Sequence, residues 1–150
     1  MGMRVLPGSR KVVFDLEVVD DYPPVASEGV WCTLTPDGNF RVDNLPFYVP
    51  GLALGDTVSA EEEDGVLFAT GVVAQAGHST LRIAFFDESV VEGVRSTLQA
   101  MGCAWESMKG GSFTTVDVPP DVVYADVLAF LSTLADADEL DYEESCIQHS

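Results

Sequence analysis

Apolar and polar residues alternate near the start of the chain, with Val12, Phe14, Leu16 and Val18 on one side and Val13, Asp15, Glu17 and Val19 on the other. A period of two sends successive side chains to opposite faces, so this stretch predicts a half-buried strand. Asp20-Asp21-Tyr22-Pro23-Pro24 breaks it. Residues 30–34 and 40–42 predict a hairpin, because Pro36-Asp37-Gly38-Asn39 between them supplies turn formers, two of which tolerate positive φ. A short extended run over 45–49 is closed by Pro50-Gly51. Gly55-Asp56 then turns into 57–61, and the acidic tip Glu62-Glu63-Asp64-Gly65 leads into 66–74. Five or six short strands at close spacing predict a small β-barrel or curled antiparallel sheet over 11–77, after a flexible stretch at 1–10.

The rhythm changes after Gly77. Residues 80–86 predict a strand with Leu81, Ile83 and Phe85 on one face. Over 89–101, Val90, Val91, Val94, Leu98 and Met101 keep helical spacing. Ser89 and Glu92 match a capping box, and Gly102 stands where a helix stops. Residues 103–108 and 113–118 predict a hairpin across Lys109-Gly110-Gly111-Ser112. Pro119-Pro120-Asp121 opens a second helix whose stripe is Val123, Val127, Phe130, Leu131 and Leu134, and 140–147 predicts a closing strand. The succession β-α-β-β-α-β over 78–150 is that of a ferredoxin-like unit, in which the first and last strands are neighbours and the last is an edge. The fold class expected is therefore α+β, with the small barrel packed on this unit. No linker rich in Gly, Ser or Pro separates the halves, so they are expected to form one body. Removing residues 140–150 should uncover the 80–86 strand, whereas removing only 149–150 should matter little.

Charge narrows the range of functions. The 150 residues hold 25 Asp and Glu against 7 Lys and Arg, a net charge of −18. Nucleic acid and anionic membrane surfaces are both repelled by such a chain, so neither is an expected partner. A basic protein is attracted. No apolar run of about 18 residues is present, and Arg4 is not followed by the apolar stretch of a secretory leader. Three widely spaced cysteines (Cys32, Cys103, Cys146) make a poor disulfide framework and fit a reducing cytoplasm.

Catalytic signatures are absent: the chain has no phosphate-binding glycine loop, no H-E-x-x-H, no C-x-x-C and no G-x-S-x-G. No cofactor is expected. Asp136-Ala-Asp138-Glu-Leu-Asp141 has carboxylates but lacks the glycine and ligand spacing of a calcium loop, and reads as a solvated helix end. In a ferredoxin-like sheet His78, Cys146 and His149 meet at one end, and together they offer zinc-type ligands. The same geometry offers a Cys146–His78 nucleophile pair, although no oxyanion-stabilising donors are evident. The plainer reading is a half-buried cysteine, a turn histidine and a terminal histidine. Arg82 pairs with Glu143 or Glu144 of the neighbouring strand, or binds an anion. Trp31, Phe40, Phe47, Tyr48 and Phe68 read as barrel core.

Arg41-Val-Asp-Asn-Leu-Pro-Phe-Tyr-Val-Pro-Gly-Leu-Ala-Leu-Gly-Asp56, Gly77-His-Ser-Thr-Leu-Arg82, Gly102-Cys-Ala-Trp-Glu106, Asp117-Val-Pro-Pro120 and Tyr142-Glu-Glu-Ser-Cys146 together resemble a family of short bacterial proteins classed only as a domain of unknown function. The resemblance covers about residues 11–149 and implies no activity, cofactor or site residue. At fold level the second half is similar to ferredoxin-like regulators, including protein inhibitors of ribonucleases and small-ligand sensor domains. The leading expectation is a non-enzymatic interaction or regulatory protein, in its most concrete form an acidic inhibitor or immunity-type protein for a basic partner. The alternative is a small-molecule sensor, or an enzyme, using the cleft between the halves, with Asp43, Asn44, His78, Ser79 and Arg82 as its binding residues. Oligomeric state is not legible.

Overall fold

A computed structural model describes residues 8–107 and 113–149. Five strands, β1 (Ser9–Asp15), β2 (Ser27–Leu34), β3 (Phe40–Val42), β4 (Thr57–Glu63) and β5 (Val66–Ala74), close a barrel in sequence order. Each neighbour is antiparallel except the closing pair, where β1 meets β5 in parallel at Val12–Leu67 and Val13–Phe68. Alternation dictates the core: Val12, Phe14, Val30, Cys32, Phe40, Val42 and Val58 point inward. β1 begins at Ser9, two residues before the strand read from the sequence. It ends at Asp15, so Val18 and Val19 lie beyond it and are exposed.

The second half contains β6 (Ser79–Phe85), a 3₁₀ turn (Glu88–Val90), α1 (Val91–Ala100), β7 (Ala104–Ser107), β8 (Phe113–Val118), α2 (Tyr124–Asp136) and β9 (Leu140–Cys146). Its four strands are all antiparallel, in the order β7-β8-β6-β9. Leu81, Ile83, Phe85, Val116, Val118 and Leu140 face the helices and pack on Val94 and Leu98 of α1 and on Val127 and Leu131 of α2. At about 1.5–3 kcal/mol for each large apolar side chain removed from water, this layer is a main source of the half's stability. The turn proposed at 109–112 lies outside the described residues.

Both helix starts differ from the sequence reading. Asp87, not Ser89, caps the first: its carboxylate accepts from Ser89 N (2.9 Å) and Ser89 Oγ (2.6 Å), and the chain enters α1 through a 3₁₀ turn. α2 starts at Tyr124. Residues 119–122 form a turn closed by Val122 N donating to Pro119 O (3.1 Å), and Val123 is 60% exposed rather than part of the buried stripe. Gly102 does stop α1, at φ 100°, a value that favours glycine.

The largest correction concerns residues 43–56, the connection from β3 to β4. The run 45–49 is not a strand but part of a strap that leaves the barrel and lies across the sheet. The backbone donors of Phe47, Tyr48 and Val49 are taken by a side chain rather than a neighbouring strand. The Glu28 carboxylate of β2 accepts from Phe47 N (2.6 Å), Tyr48 N (2.8 Å) and Val49 N (3.0 Å). Buried backbone donors must find acceptors, and one carboxylate satisfies three here. Of the aromatic set assigned to the barrel core, only Phe40 is fully buried there. Phe47 and Tyr48 ride on the strap and meet Phe113 of β8 at ring-centroid distances of 6.4 and 5.8 Å. Glu28→Ala should lower unfolding stability by about 2–4 kcal/mol, since three N–H groups lose one shared acceptor. Glu28→Gln, which keeps an acceptor oxygen, should cost less. The urea midpoints of the three proteins check this ordering.

Candidate functional site: the junction of barrel and sheet

The face of the sheet turned away from the helices is polar yet buried. Thr80, Arg82, Thr115 and Asp117 lie on it at 0–5% exposure. Such groups are costly in a dry interior unless each finds a partner, and the strap supplies most of the partners. Thr115 Oγ1 donates to Pro46 O (2.9 Å), Arg82 Nη2 to Val49 O (2.8 Å) and Thr80 Oγ1 to Leu52 O (3.0 Å). In the other direction Gly51 N donates to Ser145 O of β9 (3.0 Å). Strand pairing aligns Glu106, Thr115, Arg82 and Glu143 in one row across the sheet. Arg82 Nη1 closes that row on Glu143 at 2.9 Å, one of the two carboxylates, Glu143 or Glu144, read from the sequence as its partner. Burial pushes the Glu106 carboxyl above its ordinary range.

The other proposed binding residues are each engaged locally. Asn44 Oδ1 accepts from Trp31 N (2.7 Å). Asp43 accepts from Thr33 Oγ1 and pairs with Arg41 at 3.4 Å. His78 Nδ1 lies 2.8 Å from Asp117, whose carboxyl is pushed up by burial and pulled down by His78. Ser79 Oγ lies 2.6 Å from His149 Nδ1 and accepts from Gln148 N (2.9 Å). These contacts do not converge on a common cavity. Asp43 and Asn44 belong to the barrel side of the strap, and Ser79 is fully buried.

His78, Cys146 and His149 do come to one end of the sheet, where Thr80 pairs with Cys146. The metal reading nevertheless finds no matching arrangement: among the described residues no group of three or more His, Cys, Asp and Glu side chains is placed to hold a metal ion. The physical reason is competition for the ligand atoms. His78 turns to Asp117, and His149 has both ring nitrogens engaged, Nδ1 with Ser79 and Nε2 with Pro119 O at 2.8 Å. A neutral ring protonated on Nε2 satisfies both contacts. Ser79 with His149 has the composition of a nucleophile and its base, but a hydroxyl with no exposure cannot reach a substrate. The thiols are equally withdrawn. Burial pushes Cys32 up to about 12 and Cys103 up to about 11, and raises Cys146.

Sequence reading missed a second clamp at this end. Asp56, fully buried, accepts from Ala53 N (3.0 Å), Ala76 N (3.2 Å) and both contacts of Gln148 Nε2 (3.0 Å each), while Gln148 Oε1 accepts from Gly77 N (2.8 Å). The C-terminal residues are therefore tied to the barrel and to β6. His149 also stacks on Tyr124 at 5.1 Å.

The strap stops short of the far end of the sheet. There, above Ala84 of β6, a hollow of about 310 Å³ opens between Tyr22 and Phe113, with Asp141 and Glu143 along β9 and Arg82 at its inner end. Tyr22 lies close enough to Glu143 that its hydroxyl is raised, first by burial and then by that carboxylate. Tyr22 packs edge-on against Tyr48 at 6.1 Å.

A closed five-stranded barrel joined by a polar strap to a four-stranded sheet with two helices defines a mixed α+β protein. The chain belongs to the family described as Domain of unknown function (DUF4265), which matches residues 28–142. It is similar to a solved structure described as a hypothetical protein from Neisseria gonorrhoeae, at 25% identity and a TM-score of 0.81, over 99% of this chain and 100% of that one. A search of curated proteins finds no match. No helix among the described residues is long and apolar enough to cross a membrane.

The expectation that residues 149–150 are dispensable meets the contacts of His149. His149→Ala removes the acceptor of a fully buried hydroxyl and should cost about 1–3 kcal/mol in chemical denaturation. Ser79 and His149 share that hydrogen bond, so Ser79→Ala combined with His149→Ala should cost clearly less than the sum of the two single changes.

Proposed function

We propose that this chain is a non-enzymatic interaction protein that binds a basic protein partner, with inhibition of a basic nuclease or toxin as the most concrete form. The observation that carries this reading is the distribution of charge on the sheet half. Residues 79–149 hold thirteen Asp and Glu, and among the described residues there the cations are Arg82 and Arg95. Arg82 is 5% exposed and paired with Glu143, while Arg95 packs 4.4 Å from the Trp105 ring. The cations are thus drawn inward, while ten of the thirteen carboxylates are exposed and Asp117 is the one fully buried. A surface of one sign steers partners of the other and rejects nucleic acid.

The junction supports the same reading. A sensor or enzyme using a cleft there needs polar groups available to a ligand, whereas Ser79, Thr80, Arg82 and Asp117 bind the strap and one another. The succession of elements and the order β7-β8-β6-β9 favour a ferredoxin-like second unit on a separate barrel unit, divided near residue 77. Free buried thiols and a solved relative from a bacterium favour a bacterial, cytoplasmic protein.

Affinity isolation from its own source cells at low salt tests the proposal. The expected partner carries more Lys and Arg than Asp and Glu, and its association slows about tenfold or more as salt rises from about 0.05 to 0.2 M. An acidic partner, a salt-insensitive complex or a bound metabolite with no protein would overturn it.

A further inference from the structure

We infer that the basic partner docks on the uncovered end of the sheet, on the surface formed by Tyr22, Ala84, Phe86 and Phe113, through an extended segment that alternates basic and apolar side chains. This rests on the reading above and adds where and how the partner is held.

Alternation along β6 puts Arg82, Ala84 and Phe86 on the side facing the strap. The strap covers Arg82 and ends there. Ala84 is exposed, and Phe86, just past the end of β6, is 65% exposed. The chain stays paired at that point, since Phe86 N and Asp87 N both donate to Glu139 O (3.0 and 3.2 Å). The Phe86 ring is thus presented by a fixed backbone rather than by a loose loop. Two residues before it, Ala84 lines the 310 Å³ hollow together with Tyr22, 49% exposed, so alternation along β6 sets Phe86 on the same apolar side as the hollow. An apolar strip of this kind on an otherwise acidic surface marks an interaction site.

Carboxylates border the strip along β9, where Asp141 and Glu143 line the hollow. A Lys or Arg side chain fits this combination, laying its aliphatic stem on the aromatic rings and its charge on the carboxylates. Nucleic acid and anionic lipid do not fit, because the border repels phosphate. A second copy of this chain does not fit either, since its own surface carries the same sign. Arg82 lines the hollow but is almost wholly buried and held by Glu143 and Val49 O, so it presents no free cation at the opening.

Phe86 and Asp141 are exposed, so Phe86→Ser and Asp141→Asn should leave the fold intact, with thermal unfolding as the check. The probe is a short, blocked peptide alternating lysine and leucine, titrated at low salt into isotope-labelled full-length protein while amide resonances are followed. Shifts should concentrate at residues 84–87, 113 and 139–143. Each of the two variants should weaken binding about tenfold, and Glu62→Gln with Glu63→Gln at the β4–β5 tip should change it less than about twofold. Shifts centred on the tip, with Phe86→Ser binding like the parent, overturn the docking surface and leave the basic-partner reading standing. Absence of binding at any site overturns both. Equal binding of a peptide alternating glutamate and leucine overturns the charge argument.

Discussion

Three backbone N–H groups, those of Phe47, Tyr48 and Val49, converge on the carboxylate of Glu28, and the rest of the structure is organised around that convergence. With its donors satisfied from the barrel side, the strap can turn its carbonyls the other way, toward the sheet. Pro46, Val49 and Leu52 then accept from Thr115, Arg82 and Thr80. Two strands, β6 and β8, are buried on both faces as a result, one face by helices and the other by a segment with no regular structure of its own. A loop in such a position normally carries unsatisfied polar groups. Here the barrel's glutamate and the sheet's hydroxyls and guanidinium remove that penalty from opposite sides.

This arrangement explains why the polar residues that look like a binding site in the sequence behave as interior structure. Thr80, Arg82, Thr115 and Asp117 are polar because what covers them is main chain, whose acceptors need donors. Ser79, His149, Gln148 and Asp56 repeat the pattern at the sheet end, where the C-terminal residues close over the barrel–sheet seam. Chemistry needs groups with unused valence toward solvent. Such groups lie instead where the strap ends, along the carboxylates of β9 beside Ala84 and Tyr22.

Most strands were legible in the sequence because burial follows the period of the backbone. Phe14, Leu81, Ile83 and Phe85 announce their strands by alternation, Gly102 stops α1 where its φ requires, and the Arg82–Glu143 pair follows from neighbouring strands. The strap was not legible. Leu45, Phe47 and Val49 alternate as a strand does, and only a glutamate about twenty residues earlier reveals that their N–H groups have another destination. Such a contact leaves no periodic trace. The starts of both helices were misplaced for a related reason: Asp87 offers a better cap than Ser89, and the turn after Pro119 consumes residues that propensity alone assigns to α2. Of the candidate site, the neighbouring positions of His78, Cys146 and His149 were readable from strand order, but the hydrogen bonds that occupy the two histidines were not. Phe86, the central residue of the inferred docking surface, has no signal in the sequence beyond lying one position past an apolar-faced strand.

The central claim is that the strap is an integral part of the fold, clamped between Glu28 and the sheet. Native-state hydrogen exchange of the Phe47, Tyr48 and Val49 amides tests it most directly. If the clamp holds, these three amides exchange only through global unfolding, with the same free energy as the slowest amides of β2 and β6. Exchange of the three through a separate local opening, orders of magnitude faster than those strands, would contradict the account.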